Sequence, residues 1–135
     1  MSAVEALIEL NEGGLDFGDY TLAAKAKKDG FEAEGDIYKV KTFGEITKLE
    51  KNGSFAYESV PGTAVHGFKY TADGVGFFVE GLQDSEVTVG LDENTEYEVE
   101  VGGESVGRIT TNLGGKLTFS IELSDEPVGV KITKV

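Results

Sequence analysis

Apolar and polar positions alternate most cleanly over Thr95–Leu123, TEYEVEVGGESVGRITTNLGGKLTFSIEL, where three such runs follow one another with a Gly-Gly pair at each join. In the first run Tyr97, Val99 and Val101 fall on one face and Glu96, Glu98 and Glu100 on the other. In the third, Leu117, Phe119, Ile121 and Leu123 form an unbroken apolar face. The spacing predicts an antiparallel meander of three strands. Burying four such side chains is worth on the order of 6–12 kcal/mol before entropy is charged, so other segments must supply a second layer over this face.

The rest of the chain, taken in order, is also β-rich. Ala3–Leu10 fits either a two-turn helix or an edge strand, with the strand preferred. Asn11–Gly14 is a turn cluster, and LDFGDYTL after it offers Leu15, Phe17 and Tyr20 or Leu22 for burial, with Gly18 marking a bulge or a close backbone approach. AAKAKKDG, ending at Gly30, is the segment with the best helix propensity, and an extended connection is its alternative. Over Asp36–Phe43, Ile37, Lys39, Lys41 and Phe43 alternate with Tyr38, Val40 and Thr42. Asn52-Gly53 and Asp73-Gly74 each read as a hairpin turn. Phe55 and Tyr57 are placed on one face, and Pro61-Gly62 ends that strand and marks an internal boundary.

Beyond that boundary seven strand-like runs fit into Thr63–Val135, with turn signals at the spacing of a sandwich. The expectation is an immunoglobulin-like antiparallel β-sandwich over residues 62–135, preceded by a β-rich N-terminal part over 1–61 that packs on it or on a partner. Its core is expected at Phe68, Phe77, Val79, Val87, Val89, Leu91, Tyr97, Val99, Leu117, Phe119, Ile121, Val130 and Ile132.

Composition narrows the function. A chain of 135 residues buries enough surface to need no disulfide or metal staple, and it has no cysteine, which removes thiol nucleophiles, zinc-thiolate sites and iron–sulfur clusters. The net charge is −13, from 25 acidic against 12 basic residues, and it repels phosphate backbones and anionic membranes. Nucleic acid and membrane are therefore not expected as partners; further copies of the chain or a neutral glycan are. MSAVEALIELNEGG has neither the basic start nor the apolar run of a secretion signal, so a cytoplasmic location is the default expectation.

Candidate chemistry is thin. The single histidine, His66, lies in a predicted strand, and no G-x-S-x-G elbow or S-x-x-K motif positions a serine for it, so a structural role is expected. No cofactor is expected. Asp92-Glu93-Asn94, with Asp84 as a further candidate, is the best oxygen cluster for a loosely held Ca²⁺, and a solvated turn explains it as well. Tyr38, Tyr57 and Tyr70 are the candidate stacking platform for a sugar, against ordinary core packing. Phe77 and Phe78 are consecutive, so one of them must face away from the core of its own sheet. That makes the pair a candidate interface, unless residues 1–60 cover Phe78.

The segment YEVEVGGESVGRITTNLGGKLTFSIEL resembles the last strands of small β-sandwich modules appended to bacterial surface proteins and glycoside hydrolases. KTFGEITKLEKNGSFAYESVPGTAV with the strands after it is similar to short all-β proteins of Gram-positive anaerobic bacteria that sometimes carry the label endosialidase. Sialidase chemistry needs three arginines around the substrate carboxylate, and this chain has one, Arg108, and no Ser-x-Asp-x-Gly-x-Thr-Trp box. The residues and these resemblances together lead to a non-enzymatic structural or self-assembling protein as the first expectation and a carbohydrate-binding accessory module as the second. A hydrolase using two carboxylates comes third.

Overall fold

The structure, a computed structural model, describes residues 3–135. These contain thirteen strands and no helix: β1 (Ile8–Asn11), β2 (Gly14–Phe17), β3 (Ala26–Ala33), β4 (Asp36–Phe43), β5 (Ile46–Lys51), β6 (Ser54–Val60), β7 (Ala64–Thr71), β8 (Gly74–Glu80), β9 (Ser85–Gly90), β10 (Glu96–Val101), β11 (Glu104–Thr110), β12 (Lys116–Ile121) and β13 (Val128–Lys134). They form a seven-stranded sheet, in the order β1-β2-β7-β8-β13-β10-β11, and a six-stranded sheet, β12-β9-β6-β5-β4-β3. Both are antiparallel and pack face to face, so the protein is an all-β sandwich.

The sandwich runs through the whole chain. Strands from either side of Pro61 share each sheet, since β2 pairs with β7 and β6 with β9. All seven strands expected after Thr63 are present; five join the seven-stranded sheet, while β9 and β12 join the other, which β3–β6 complete. The residues expected in the core are buried, apart from a half-buried Leu91.

Several local expectations are corrected. The meander of Thr95–Leu123 is half right: β10 and β11 form a hairpin, but β12 crosses to the opposite sheet and pairs with β9. The alternation fixed an apolar face on each strand, and facing each other across the core lets each strand be part of the other's second layer. The crossing is held by Asn112, whose Oδ1 accepts from the backbone N–H of Gly114 and Lys116, and by Gly115, where a Cβ would lie 2.3 Å from the Leu91 carbonyl oxygen.

The helical expectation for AAKAKKDG fails as well. Ala26–Ala33 is a strand on β4, and Gly30 (φ +70) serves a bulge between Lys28 and Phe31 instead of a helix end. An isolated run that short gains little as a helix, whereas pairing with β4 supplies a ladder. Of Ala3–Leu10, only the end from Ile8 is strand.

A bulge between Leu49 and Glu50 pairs Leu49 with Tyr57 and Glu50 with Phe55. Tyr57 therefore points inward, while Phe55 lies on the outer face under the ammonium groups of Lys48 and Lys116. The hairpin at Asp73 turns on Ala72-Asp73, and Gly74 opens β8 opposite Thr71. Glycine is required there because a Cβ would fall 1.8 Å from the Ile132 carbonyl oxygen.

A chain of buried hydroxyls runs beneath the β6–β7 connection. Asp19 N–H donates to Thr42 Oγ1 (2.9 Å), which is 2.8 Å from Thr47 Oγ1. The Thr47 hydroxyl donates to the Thr63 carbonyl (2.7 Å) and accepts from the Thr63 N–H (3.1 Å). Thr47→Val keeps the shape of the side chain but leaves both backbone groups of Thr63 without a partner. The expected cost is about 2–4 kcal/mol, read as a lower urea midpoint at an unchanged denaturant slope.

A glycine-floored groove on the seven-stranded sheet

Period-two alternation sends Phe68, Val75, Phe77, Val79, Val130 and Ile132 into the core, and their neighbours outward. Three of the neighbours, on adjacent strands, are glycines: Gly67 on β7, Gly76 on β8 and Gly129 on β13. With no side chains to fill it, the outer face is hollowed into a groove of about 790 Å³. Register fixes what surrounds the floor. One row across the strands is His66, Phe78, Gly129; the next is Lys69, Gly76, Lys131, Glu100. Thr71 and Thr133 line one end, and Asn11 and Asp16 lie along the β1–β2 side.

Gly67 (φ +65) lies at the bulge of β7, where its N–H donates to Asp16 Oδ1 at 2.9 Å. The other Asp16 oxygen accepts from Asn11 Nδ2 at 2.7 Å, tying the first hairpin to the rim. The Phe78 ring lies over Gly129, with its Cε1 3.2 Å from where a Cβ would be. One side of the ring is thus covered by the sheet, and the residue remains 48% exposed beside the groove.

The Phe77-Phe78 pair is split by this geometry. Phe77 enters the core, edge-on to Tyr57 (5.7 Å between ring centres), and Phe78 is left uncovered by residues 1–60. The three tyrosines do not form a platform. Tyr57 is 0% exposed, Tyr38 is buried on β4 opposite Phe31, and the half-buried Tyr70 donates its hydroxyl to the Gly90 carbonyl at 2.7 Å. All three phenols are held above their ordinary range by burial, Tyr57 up to about 12. The aromatic ring left exposed on the outer face is that of Phe78.

His66 lies between two carboxylates. Its Nδ1 is 3.4 Å from Asp16 Oδ2 and its Nε2 is 3.5 Å from Glu80 Oε1. Both ring nitrogens thereby face carboxylates, and Nε2 and Glu80 Oε1 are buried without a hydrogen-bond partner among the described residues. Asp16 and Glu80 are distant from His66 in sequence and carried no signal of this. Asp84 and Asp92 flank opposite ends of β9, with Asp84 Oδ1 accepting from Leu123 N–H and Asp92 Oδ2 held 2.8 Å from Lys134 Nζ, so they do not form one cluster. Among the described residues no group of three or more His, Asp or Glu is placed to hold a metal ion.

The outward positions of Gly76 and Gly129 follow from alternation, but the bulge in β7 shifts the phase of Gly67, and only the assembled sheet puts the three side by side. Compared with protein-family models, curated proteins and solved structures, the chain matches none.

Proposed function

We propose that this protein is a non-catalytic binding module whose groove takes a segment of neutral glycan. The observation that supports this most is Phe78, half exposed over Gly129 at the edge of an open, largely apolar groove. A pyranose presents an apolar C–H face to an aromatic ring, while its hydroxyls need donors and acceptors around it. Lys69, Lys131, Thr71, Thr133 and Glu100 provide those along the rim. The glycine floor lets a ring approach the backbone closely, and the net charge of −13 disfavours phosphate polymers.

Affinity electrophoresis through neutral polysaccharides, with a glycan array alongside, tests this. Phe78→Leu keeps Gly129 covered but removes the aromatic face, and is expected to weaken retention at least tenfold with the melting temperature little changed. No retention of the native chain on any glycan overturns the proposal.

A structural role by strand addition is a second reading, favoured by one edge. β1 has four residues, and β3 and β11 are bulged, all features that blunt an edge. β12 pairs with β9 from Lys116 to Ile121 without a bulge. Its Lys116 N–H turns to Asn112, so by alternation Thr118 and Ser120 also direct their backbone groups to the open side. Thr118→Pro removes a donor there and is expected to abolish any sheet extension that light scattering detects.

A further inference from the structure

The outer face of the six-stranded sheet is divided by charge. On its β3–β5 half, Lys27, Lys41 and Lys48 stand directly opposite one another across three strands. Lys39 lies beside them on β4 with Glu50 directly opposite it, Glu32 stands opposite the exposed Ile37, and Lys25 lies over the Phe43 ring, so this half is lysine-rich but not free of carboxylates. Like charges opposite one another on a sheet repel; Lys27, followed by Lys39, holds the Lys41 ammonium below the ordinary lysine range. None of these lysines makes an ion pair among the described residues. On the other half the outward carboxylates are Glu58, Glu86 and Glu122, without ion pairs among the described residues, with one lysine, Lys116, over the Phe55 ring. Between the halves lie Ile46 and a half-exposed Val60. In a chain of net charge −13, the Lys27-Lys41-Lys48 row sets like charges opposite one another, a cost to the sheet that, among the described residues, only Glu58, opposite Lys48, offsets within the monomer.

We infer that this face docks on the same face of a second copy, about a twofold axis running along the strands between β5 and β6. A twofold contact requires a self-complementary surface, and the register supplies one. Lys48 and Glu58 are cross-strand partners, so the rotation sets Lys48 over Glu58 of the second copy and Glu58 over its Lys48. The adjoining row puts Ile46 over Val60 of the second copy, and Lys25 with Phe43 over its Glu86. Six strands at sheet spacing cover roughly 600 Å² per copy, near the lower end for a stable interface, so the dimer is reversible and sensitive to salt. The seven-stranded sheets face outward from such a dimer, which aims its two grooves in opposite directions and lets it bridge two ligand chains.

Sedimentation velocity over a hundredfold range of concentration tests the inference. In low salt the mass is expected to rise from 14.4 kDa to twice that value, and to fall back toward the monomer at high salt. Lys48→Glu and Glu58→Lys are each expected to shift the midpoint at least tenfold toward monomer. Combining both reversals in one chain restores the dimer, and so does mixing the two single variants, because each arrangement again opposes unlike charges. A native chain that stays monomeric in low salt at every concentration overturns the inference. So does a dimer indifferent to both single reversals, including one that Thr118→Pro abolishes.

Discussion

Tyr57→Ala is expected to lower the unfolding free energy by about 3–5 kcal/mol, the range for emptying a buried aromatic site. Tyr57 is fully buried at the meeting of the two sheets. Its ring stands edge-on to Phe17 (5.3 Å), Phe77 (5.7 Å) and Phe68 (6.1 Å), and these contacts join the six-stranded sheet to β2, β7 and β8. Its hydroxyl is 2.8 Å from Thr63 Oγ1, which is itself 2.7 Å from Ser59 Oγ. Alanine removes the ring from all three aromatic neighbours and withdraws a partner from Thr63. Tyr57→Phe separates the two contributions: it keeps the ring and gives up one buried hydrogen bond, for about 1 kcal/mol. Urea unfolding of both variants checks the ranking. An alanine variant that loses no more than the phenylalanine variant would mean that the aromatic contacts do not join the sheets.

Alkaline pH is expected to weaken the fold by a comparable amount. Burial raises the Tyr57 phenol from 10.0 to about 12, against the lowering effect of its hydrogen bonds with Thr63 and Ser59. Tyr70 is raised too, by burial first and then by Tyr38 and Tyr97. The folded state thus favours the neutral phenol, and the unfolded chain ionises first. The stabilisation is fully present below pH 10, the unfolded value, and is lost as pH rises through about 12, the folded value of Tyr57. For this fully buried group two pKa units correspond to about 3 kcal/mol, and Tyr70 acts in the same direction. Urea midpoints followed from about pH 9 upward, with tyrosinate absorbance as a second probe, are expected to fall steeply above pH 10. Tyr57→Phe makes that fall shallower. A midpoint independent of pH in this window contradicts the burial of both phenols.

Much of the sandwich was legible in the chain. Alternation placed Tyr97, Val99, Leu117, Phe119 and Ile121 inward, as they are, because burial of one sheet face is a property of each strand alone. Asn52-Gly53 marked its hairpin correctly, with φ values of +51 and +79, because a turn of positive φ admits few residues. Where the reading went astray, a long-range partner had overridden a local preference: β4 drew the lysine-rich Ala26–Ala33 into a strand, and β9 took β12 away from β11.

The candidate site was less legible. Phe78 was singled out by its place beside Phe77, since two consecutive aromatics cannot both enter one core. The groove beside it needed Gly67, Gly76 and Gly129 to be brought together from three strands, and the tyrosine platform dissolved because a bulge and the inward phase of β4 and β6 bury Tyr57 and Tyr38, while half-buried Tyr70 turns its hydroxyl to the Gly90 carbonyl.

Side-chain period, turn chemistry and charge are local properties, and they were enough for an all-β chain, the inward faces of β8, β9, β10, β12 and β13 and an acidic, cysteine-free composition. Only the tertiary structure decided which strands share a sheet, that both sides of Pro61 build one sandwich, and where glycines and lysines gather. Those outcomes depend on register between strands distant in the chain, and register is set by how the two sheets fill one core.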